Sequence, residues 1–247
     1  MMLAALSLLA VLSSADAVSV VLNSPSSVGP RTYAEARAKI EKDAAAGRPL
    51  QQFVIGITTD DKDLAKRYLD ASREKIVQMA EQKNNPLAWY LLAKELNDIK
   101  MLEKAADGGN VQALNALGTI LTNEALQKND LRAFGEKTSE TNDISRVLAK
   151  SFGYFRRAAA QRDPNGFINL GTCYLRGLGC KTDLSLAFAC FKAAAKAGHP
   201  EGMDNMSACY QFGHGVEKNS ELSLYWAMRG RSARGDEAAA KWLRERK

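Results

Sequence analysis

Histidine, cysteine, tryptophan and proline are all scarce in this chain of 247 residues: two, four, three and six respectively. The two histidines, His199 and His214, each fall in a connection between helical stretches, too few to build a metal centre or a Ser–His–acid relay. No G-x-S-x-G elbow occurs. Gly177-Leu178-Gly179-Cys180-Lys181-Thr182 fails as a phosphate loop, because Cys180 stands where that loop needs the glycine that lets backbone wrap phosphate. Little proline and 18 glycines, set against 38 alanines, exclude collagen-like and disordered classes and predict an all-α chain with short connections. No apolar run is long enough to cross a bilayer. The longest, residues 1–12, rises too little at about 1.5 Å per residue for a core of about 30 Å.

Nor is there a large excess of one charge. Thirty-four Lys and Arg oppose 28 Asp and Glu, a formal +6, and seven of the basic residues lie within residues 225–247 beside three acidic ones. That basic end reads as a solvated, helix-ending surface, where cations suit the C-terminal dipole. No continuous basic stripe of the kind that grips a nucleic-acid backbone is present.

At the N-terminus, the apolar residues 1–12 are followed by Ser13-Ser14 and by Ala15-Asp16-Ala17, a small-x-small pattern. This predicts a secretory signal peptide over 1–17 with a new end at Val18, although no Lys or Arg precedes the run. The alternative is a buried first helix of the fold. Residues 18–31 read as an irregular leader, with helices beginning near Thr32.

The C-terminal half repeats against itself at an offset of 36, the signature of a stacked array. Gly166, Leu170, Tyr174, Gly177 and Gly179 return as Gly202, Met206, Tyr210, Gly213 and Gly215, and Ala158-Ala159 return as Ala194-Ala195. Small residues at Gly166, Gly171 and Ala187 allow close helix approach, while Leu170, Tyr174 and Phe191 fill the seam. Gly177-Leu178-Gly179 and Gly213-His214-Gly215 end helices. Asp183 and Asn219 stand where N-caps are needed. The best units are 148–183 and 184–219. Weaker copies occupy 32–147: Ala105-Ala106, Ala113, Leu117, Gly118 and Leu121 align at an offset of 53, with the excess placed as a polar extension between 121 and 141. Ala88, Leu92, Ala93 and Leu96 sit a further 25 earlier in a shortened unit that starts at Asn85-Pro86. Roughly a dozen paired helices are expected, with a capping helix over 235–247.

The run Leu170-Gly171-x-x-Tyr174-x-x-Gly177-x-Gly179, followed by Asp183 and Ala187, resembles the Sel-1-like repeat, a relative of the tetratricopeptide repeat. The second copy departs from the family pattern at Met206-Ser207 and Ser223, while Val216 keeps the apolar residue that Cys180 replaces in the first. The resemblance implies a right-handed α/α solenoid of antiparallel helix pairs, serving as a scaffold for protein contacts. In tetratricopeptide-like arrays the first helix of each pair lines the concave face. Carried onto this chain, that gives Tyr90, Lys94, Gln112, Asn115, Thr119, Asn165, Thr172, Arg176, Asp204 and Gln211 as binding positions. Their mixed polar character suits a peptide, or secondarily a glycan.

Cys173, Cys180, Cys190 and Cys209 lack the periodic close pairing of the family's cysteine-rich branch. Buried free thiols are the favoured reading. If one bridge forms, Cys190 with Cys209 is the first candidate. The expected function is an exported, non-enzymatic interaction scaffold without cofactor, metal, nucleic acid or membrane span. Two alternatives stand beside it. One is a wall- or glycan-acting enzyme or its envelope regulator, with Glu201 and Asp204 as paired carboxylates. The other is an intracellular adaptor with an unprocessed N-terminus.

Overall fold

The computed structural model describes residues 14–22, 30–133 and 141–246. Among them are thirteen helices and no strand. In chain order they are α1 Ser14–Leu22, α2 Pro30–Ala45, α3 Pro49–Thr58, α4 Lys62–Lys83, α5 Pro86–Leu96, α6 Ile99–Asp107, α7 Val111–Ala133, α8 Thr141–Ala160, α9 Pro164–Arg176, α10 Leu184–Lys196, α11 Pro200–Phe212, α12 Ser220–Ala233 and α13 Glu237–Arg244. The scarce prolines are spent on helix starts. Five of the six (Pro30, Pro49, Pro86, Pro164 and Pro200) open a helix, where the missing N–H is no loss and the fixed φ suits the first turn.

The chain divides into two compact units, Met1–Met101 and Leu102–Lys247. In the first, α1 packs on α2 and α3, α3 on α4, and α5 on both α3 and α4. Ile40, Phe53, Val54, Ile55, Ile76 and Leu91 are buried there. In the second, each helix from α7 to α13 packs on the next, and the first helices of successive pairs, α7, α9 and α11, also touch in turn. Contact with both the next helix and the next but one is what an array of antiparallel pairs requires. The fold is therefore an all-α repeat solenoid.

Glycine sets the pair spacing. A Cβ on Gly166 would come within 2.8 Å of the Ala158 Cβ, one on Gly202 within 2.7 Å of the Ala194 Cβ, and one on Gly171 within 2.7 Å of the Phe191 ring. The same device recurs upstream, where Gly118 faces Phe155. The Gly-x-Gly turns also repeat in detail. Gly177 and Gly213 hold left-handed φ of 71° and 78° as C-caps, Gly179 and Gly215 both stand at 72°, and Asp183 N–H donates to Tyr174 O as Asn219 N–H donates to Tyr210 O. Asp183 and Asn219 then cap α10 and α12 by accepting from Leu186 N–H and Leu222 N–H, both at 2.9 Å.

Three expectations are corrected here. Residues 18–31 are not an irregular leader throughout: 18–22 belong to α1, where Ala17, Val18, Val21 and Leu22 are buried, and helix resumes at Pro30 rather than Thr32. The small-x-small pattern that suggested a processing site also suits a helix, and Ala17 is buried in it. The extension after Leu121 is helical as far as Ala133, so α7 has 23 residues against 13 in α9 and in α11. Asn123, Glu124, Gln127 and Lys128 are exposed there and continue the helix rather than breaking it. The capping helix is shorter than 235–247, starting after its N-cap Asp236, which accepts from Ala239 N–H at 3.0 Å. Residues 1–13, 23–29, 134–140 (with the Gly135-Glu136-Lys137 stretch) and Lys247 lie outside the described residues.

Candidate functional site

The ten positions mapped onto the first helices do not share one environment. Tyr90 and Lys94 lie on α5 in the first unit, and the remaining eight in the second. Tyr90 is buried, and that burial raises the pKa of its hydroxyl, so it serves the core rather than a surface. Lys94 is exposed in the last turn of α5. Gln112 and Asn165 are half-buried in the first turns of α7 and α9.

Asn115 and Asp204, expected at a binding face, are tied to neighbouring helices instead. Asn115 Nδ2 donates to Asp163 Oδ2 at 2.8 Å, and Asn169 Nδ2 donates to Asn115 Oδ1 at 3.3 Å. Asp163 is the N-cap of α9 and accepts Gly166 N–H at 2.7 Å with the same oxygen. Burial raises its pKa, partly opposed by the hydrogen bonds from Gly166, Asn115 and Asn165. The Asp204 carboxylate on α11 is held by the guanidinium of Arg234, the C-cap of α12. This pairing also removes Asp204 from any carboxylate couple with Glu201. The two side chains span helices far apart in sequence, so local pattern gave no sign of it.

Thr119, Thr172 and Arg176 do come together. They line a cleft of about 160 Å³ between α7 and α9. Its base is apolar: Leu126 of α7, Phe155 of α8 and Leu178 from the first Gly-x-Gly turn. Its rim is built of hydroxyls and amides from Thr119, Asn123, Asn169 and Thr172, and Arg176 stands exposed in the last turn of α9. The Thr172 hydroxyl donates to Ile168 O at 3.0 Å. Below the rim, Thr122 and Ser151 share the Gly118 carbonyl, each donating at 2.8 Å, so the buried Ser151 is satisfied. Asn123 and Asn169 were missed in the sequence. They lie four residues beyond Thr119 and Asn165, on the same helix faces, and i to i+4 spacing would have found them. Gln211 is exposed in the last turn of α11.

The thiols add no reactivity to this cleft. Cys173, buried at the cleft wall, packs with Cys180 and Cys190, whereas Cys209 packs in the next core with Met203 and Met206. Cys190 and Cys209, the first candidate if one bridge formed, are thus divided between two cores, and all four cysteines are free. Burial pushes the thiol pKa of Cys173 up to about 12 and those of Cys190 and Cys209 up to about 11, so each stays protonated and a poor nucleophile at neutral pH. His199, the N-cap position of α11, is buried. Neither ring nitrogen has a hydrogen-bond partner among the described residues. Burial, and then Arg234, lower its pKa, against a smaller opposing pull from Asp204. Among the described residues no group of three His, Cys, Asp or Glu could hold a metal ion, and no helix is long and apolar enough to cross a membrane.

Stacked helix pairs, with a polar-rimmed cleft between successive first helices, define a helical-repeat array. The Sel1 repeat family model matches residues 99–110, 140–163, 168–199 and 200–227, which fall on α6, α8, α9 with α10, and α11 with α12. The chain carries Sel1 repeats over these residues. Sel1-repeat proteins are in general scaffolds for protein contacts and typically non-enzymatic. The chain is similar to a protein of Arabidopsis thaliana named ERAD-associated E3 ubiquitin-protein ligase component HRD3B, 30% identical over 105 residues that cover 37% of this chain and 17% of that one. It therefore spans less than a fifth of that relative's length. Among solved structures, a Sel1 repeat protein from Oxalobacter formigenes has 21% identity and a TM-score of 0.44, covering 55% of this chain and 90% of its own. A protective antigen of uropathogenic Escherichia coli displaying an SLR fold has 20% identity and a TM-score of 0.37, covering 84% of this chain and 52% of its own.

Proposed function

We propose that this protein is an exported, non-enzymatic scaffold that binds a peptide segment of another protein in the cleft between α7 and α9. The observation that carries this reading is the cleft itself: an apolar base, a rim of amides and hydroxyls, and one exposed guanidinium at Arg176. An apolar base takes a side chain, and paired amides such as Asn123 and Asn169 match the donor and acceptor of a peptide backbone. Arg176 favours a carboxylate in the ligand, by its charge and its fork of donors. Residues 1–17 act as the signal peptide in this reading.

The test is selection of a displayed random-peptide library on the whole chain. Enriched sequences share an apolar residue near an acidic one, and their binding falls at least tenfold with Arg176→Glu. Enrichment indifferent to Arg176→Glu and to Asn169→Ala refutes the cleft as the site.

One observation favours a second reading, an adaptor that keeps its N-terminus. The bond between Ala17 and Val18 lies inside α1, with both residues buried. The Arabidopsis relative's name, a ligase component, is compatible with such a role inside a larger assembly. N-terminal sequencing of the natural protein separates the two: an end at Val18 supports export, and an intact segment ahead of α1 supports the adaptor.

A further inference from the structure

Where the first turn of α11 meets the last turn of α12, three residues depart together from the repeat. Thirty-six residues before His199, Asp204 and Arg234 stand Asp163, Ile168 and Gly198. In the earlier repeat the Asp163 carboxylate caps α9, and an apolar residue and a glycine stand where the later one has a carboxylate and a guanidinium. In the later repeat His199 is 5% exposed, makes no cap bond, and leaves both ring nitrogens without a hydrogen-bond partner among the described residues. Beside it the Arg234 guanidinium holds the Asp204 carboxylate, with Nη1 to Oδ1 at 3.3 Å. Gly230 completes the contact: a Cβ there would strike Asp204 Oδ1 and come within 3.2 Å of the Pro200 carbonyl.

A buried imidazole with neither nitrogen bonded suits that place only while it is neutral. Two charges act on the ring: Arg234 from α12 opposes a proton, and Asp204 on α11 favours one less strongly. Lys196 in the last turn of α10 and Glu201 in the first turn of α11 are exposed, and Arg231 of α12 is engaged by Asp236 ahead of α13.

We propose that His199 is a proton-operated latch: on gaining a proton it releases the last turn of α12 from α11, while the repeats before it stay closed. The proton places a second cation beside Arg234 inside the core. Relief comes from the ring turning out to solvent or from Asp204 turning to the ring, and either motion frees Arg234 from Asp204. Among the described residues, Ser207 with Ser223 at 3.1 Å is then the side-chain hydrogen bond left between the two helices. Opening uncovers a soft apolar face, Met203, Met206 and Cys209 of α11, on which Trp226 and Ala233 of α12 pack. Burial depresses the His199 pKa from its ordinary 6.5. The closed form is therefore fully favoured above that value, and the open fraction grows by up to about tenfold per pH unit below it. This inference is independent of the α7–α9 cleft.

The test compares Cys209 with Cys173, its equivalent 36 residues earlier, on the whole chain; each is 1% exposed. Both are offered a dipyridyl disulfide, which takes up thiols at acid as well as neutral pH, and labelling at each site is quantified by peptide mass spectrometry. Labelling of Cys209 relative to Cys173 should rise about fivefold or more between about pH 7.5 and about pH 5, and stay level in His199→Asn. Equal gain at both cysteines would mean that the whole unit opens, an unchanged ratio that nothing opens, and a rise kept in His199→Asn that another group drives it. Each of these overturns the inference. Hydrogen exchange of the parent protein decides if the variant unfolds. After correction for intrinsic exchange, amides of 220–244 should lose protection from about pH 6.5 downward, ahead of those of 111–128. A loss that begins only below about pH 4.5, in the carboxylate range, overturns the latch.

Discussion

The two units end their helices differently, and the difference explains why one is regular and the other is not. In the second unit, α9 and α11 stop at Gly177 and Gly213, and a second left-handed glycine two residues on lies against the neighbouring pair. In the first unit, α4 and α5 stop at left-handed asparagines, Asn84 and Asn97, with φ of 46° and 52°. Asparagine tolerates that conformation, and Asn84 Oδ1 also accepts the Trp89 indole N–H at 3.1 Å. Such a cap ends a helix with a single left-handed residue. A Gly-x-Gly turn ends the helix and also seats its second glycine against the neighbouring helix, and both turns recur at the 36-residue offset.

The sharpest way to break the comparison is to place a Cβ on each kind of glycine. Gly215→Ala would drive its methyl into the Leu184 carbonyl at a positive φ, and the expected loss is about 3 kcal/mol or more. Gly47→Ala in the first unit has a φ of 82° but nothing within 4 Å, so only the backbone strain of about 1 kcal/mol remains. Urea unfolding of the two variants measures both, and equal losses would mean that conformation rather than docking matters at Gly215.

Next in size is the polar tie between α7 and α9. Asn115→Ala removes a donor from the half-buried Asp163 carboxylate and an acceptor from Asn169, with an expected loss of about 1–2 kcal/mol. Its pH dependence has a definite sign. Burial raises the Asp163 pKa, so the folded state holds that proton more tightly, a stabilisation present below the ordinary value of 3.8 and lost as pH rises through the folded pKa. Asp163→Asn keeps a capping oxygen and abolishes this dependence. Thermal melts at acid and neutral pH compare the two proteins.

His199 occupies the place that Asp163 holds one repeat earlier, yet it makes no cap bond. His199→Asn should supply one and raise stability by about 1 kcal/mol at neutral pH. Because burial lowers the His199 pKa below its ordinary 6.5, the stability of the parent protein is full above that value and declines as pH falls through it. His199→Asn should flatten that decline. A steeper decline in the variant would contradict the assignment. The smallest effect is expected on the surface of α7: Lys128→Ala removes an exposed pair with Glu124 and changes the melting point by less than about a degree.

These contrasts also mark what was legible in the sequence. The array was, because Gly166, Gly171, Gly177 and Gly179 each answer a local steric demand that recurs at a constant spacing. The length of α7 was not, because a solvated helix of Asn, Glu, Gln and Lys has no apolar period to announce it. The burial of Tyr90 follows from α5 packing on both α3 and α4, which neighbours in sequence do not reveal. Asn115 and Asp204 read as free polar positions because their partners, Asp163 and Arg234, are 48 and 30 residues away. Thr119, Thr172 and Arg176 were legible because the cleft they line is made by the repeat itself.

The central claim is that the cleft between α7 and α9 receives a peptide. Hydrogen exchange on the whole chain, with and without a peptide selected from the displayed library, tests it most directly. The account predicts added protection over residues 119–126 and 169–178. Protection confined to other helices, with these two stretches unchanged, would contradict it.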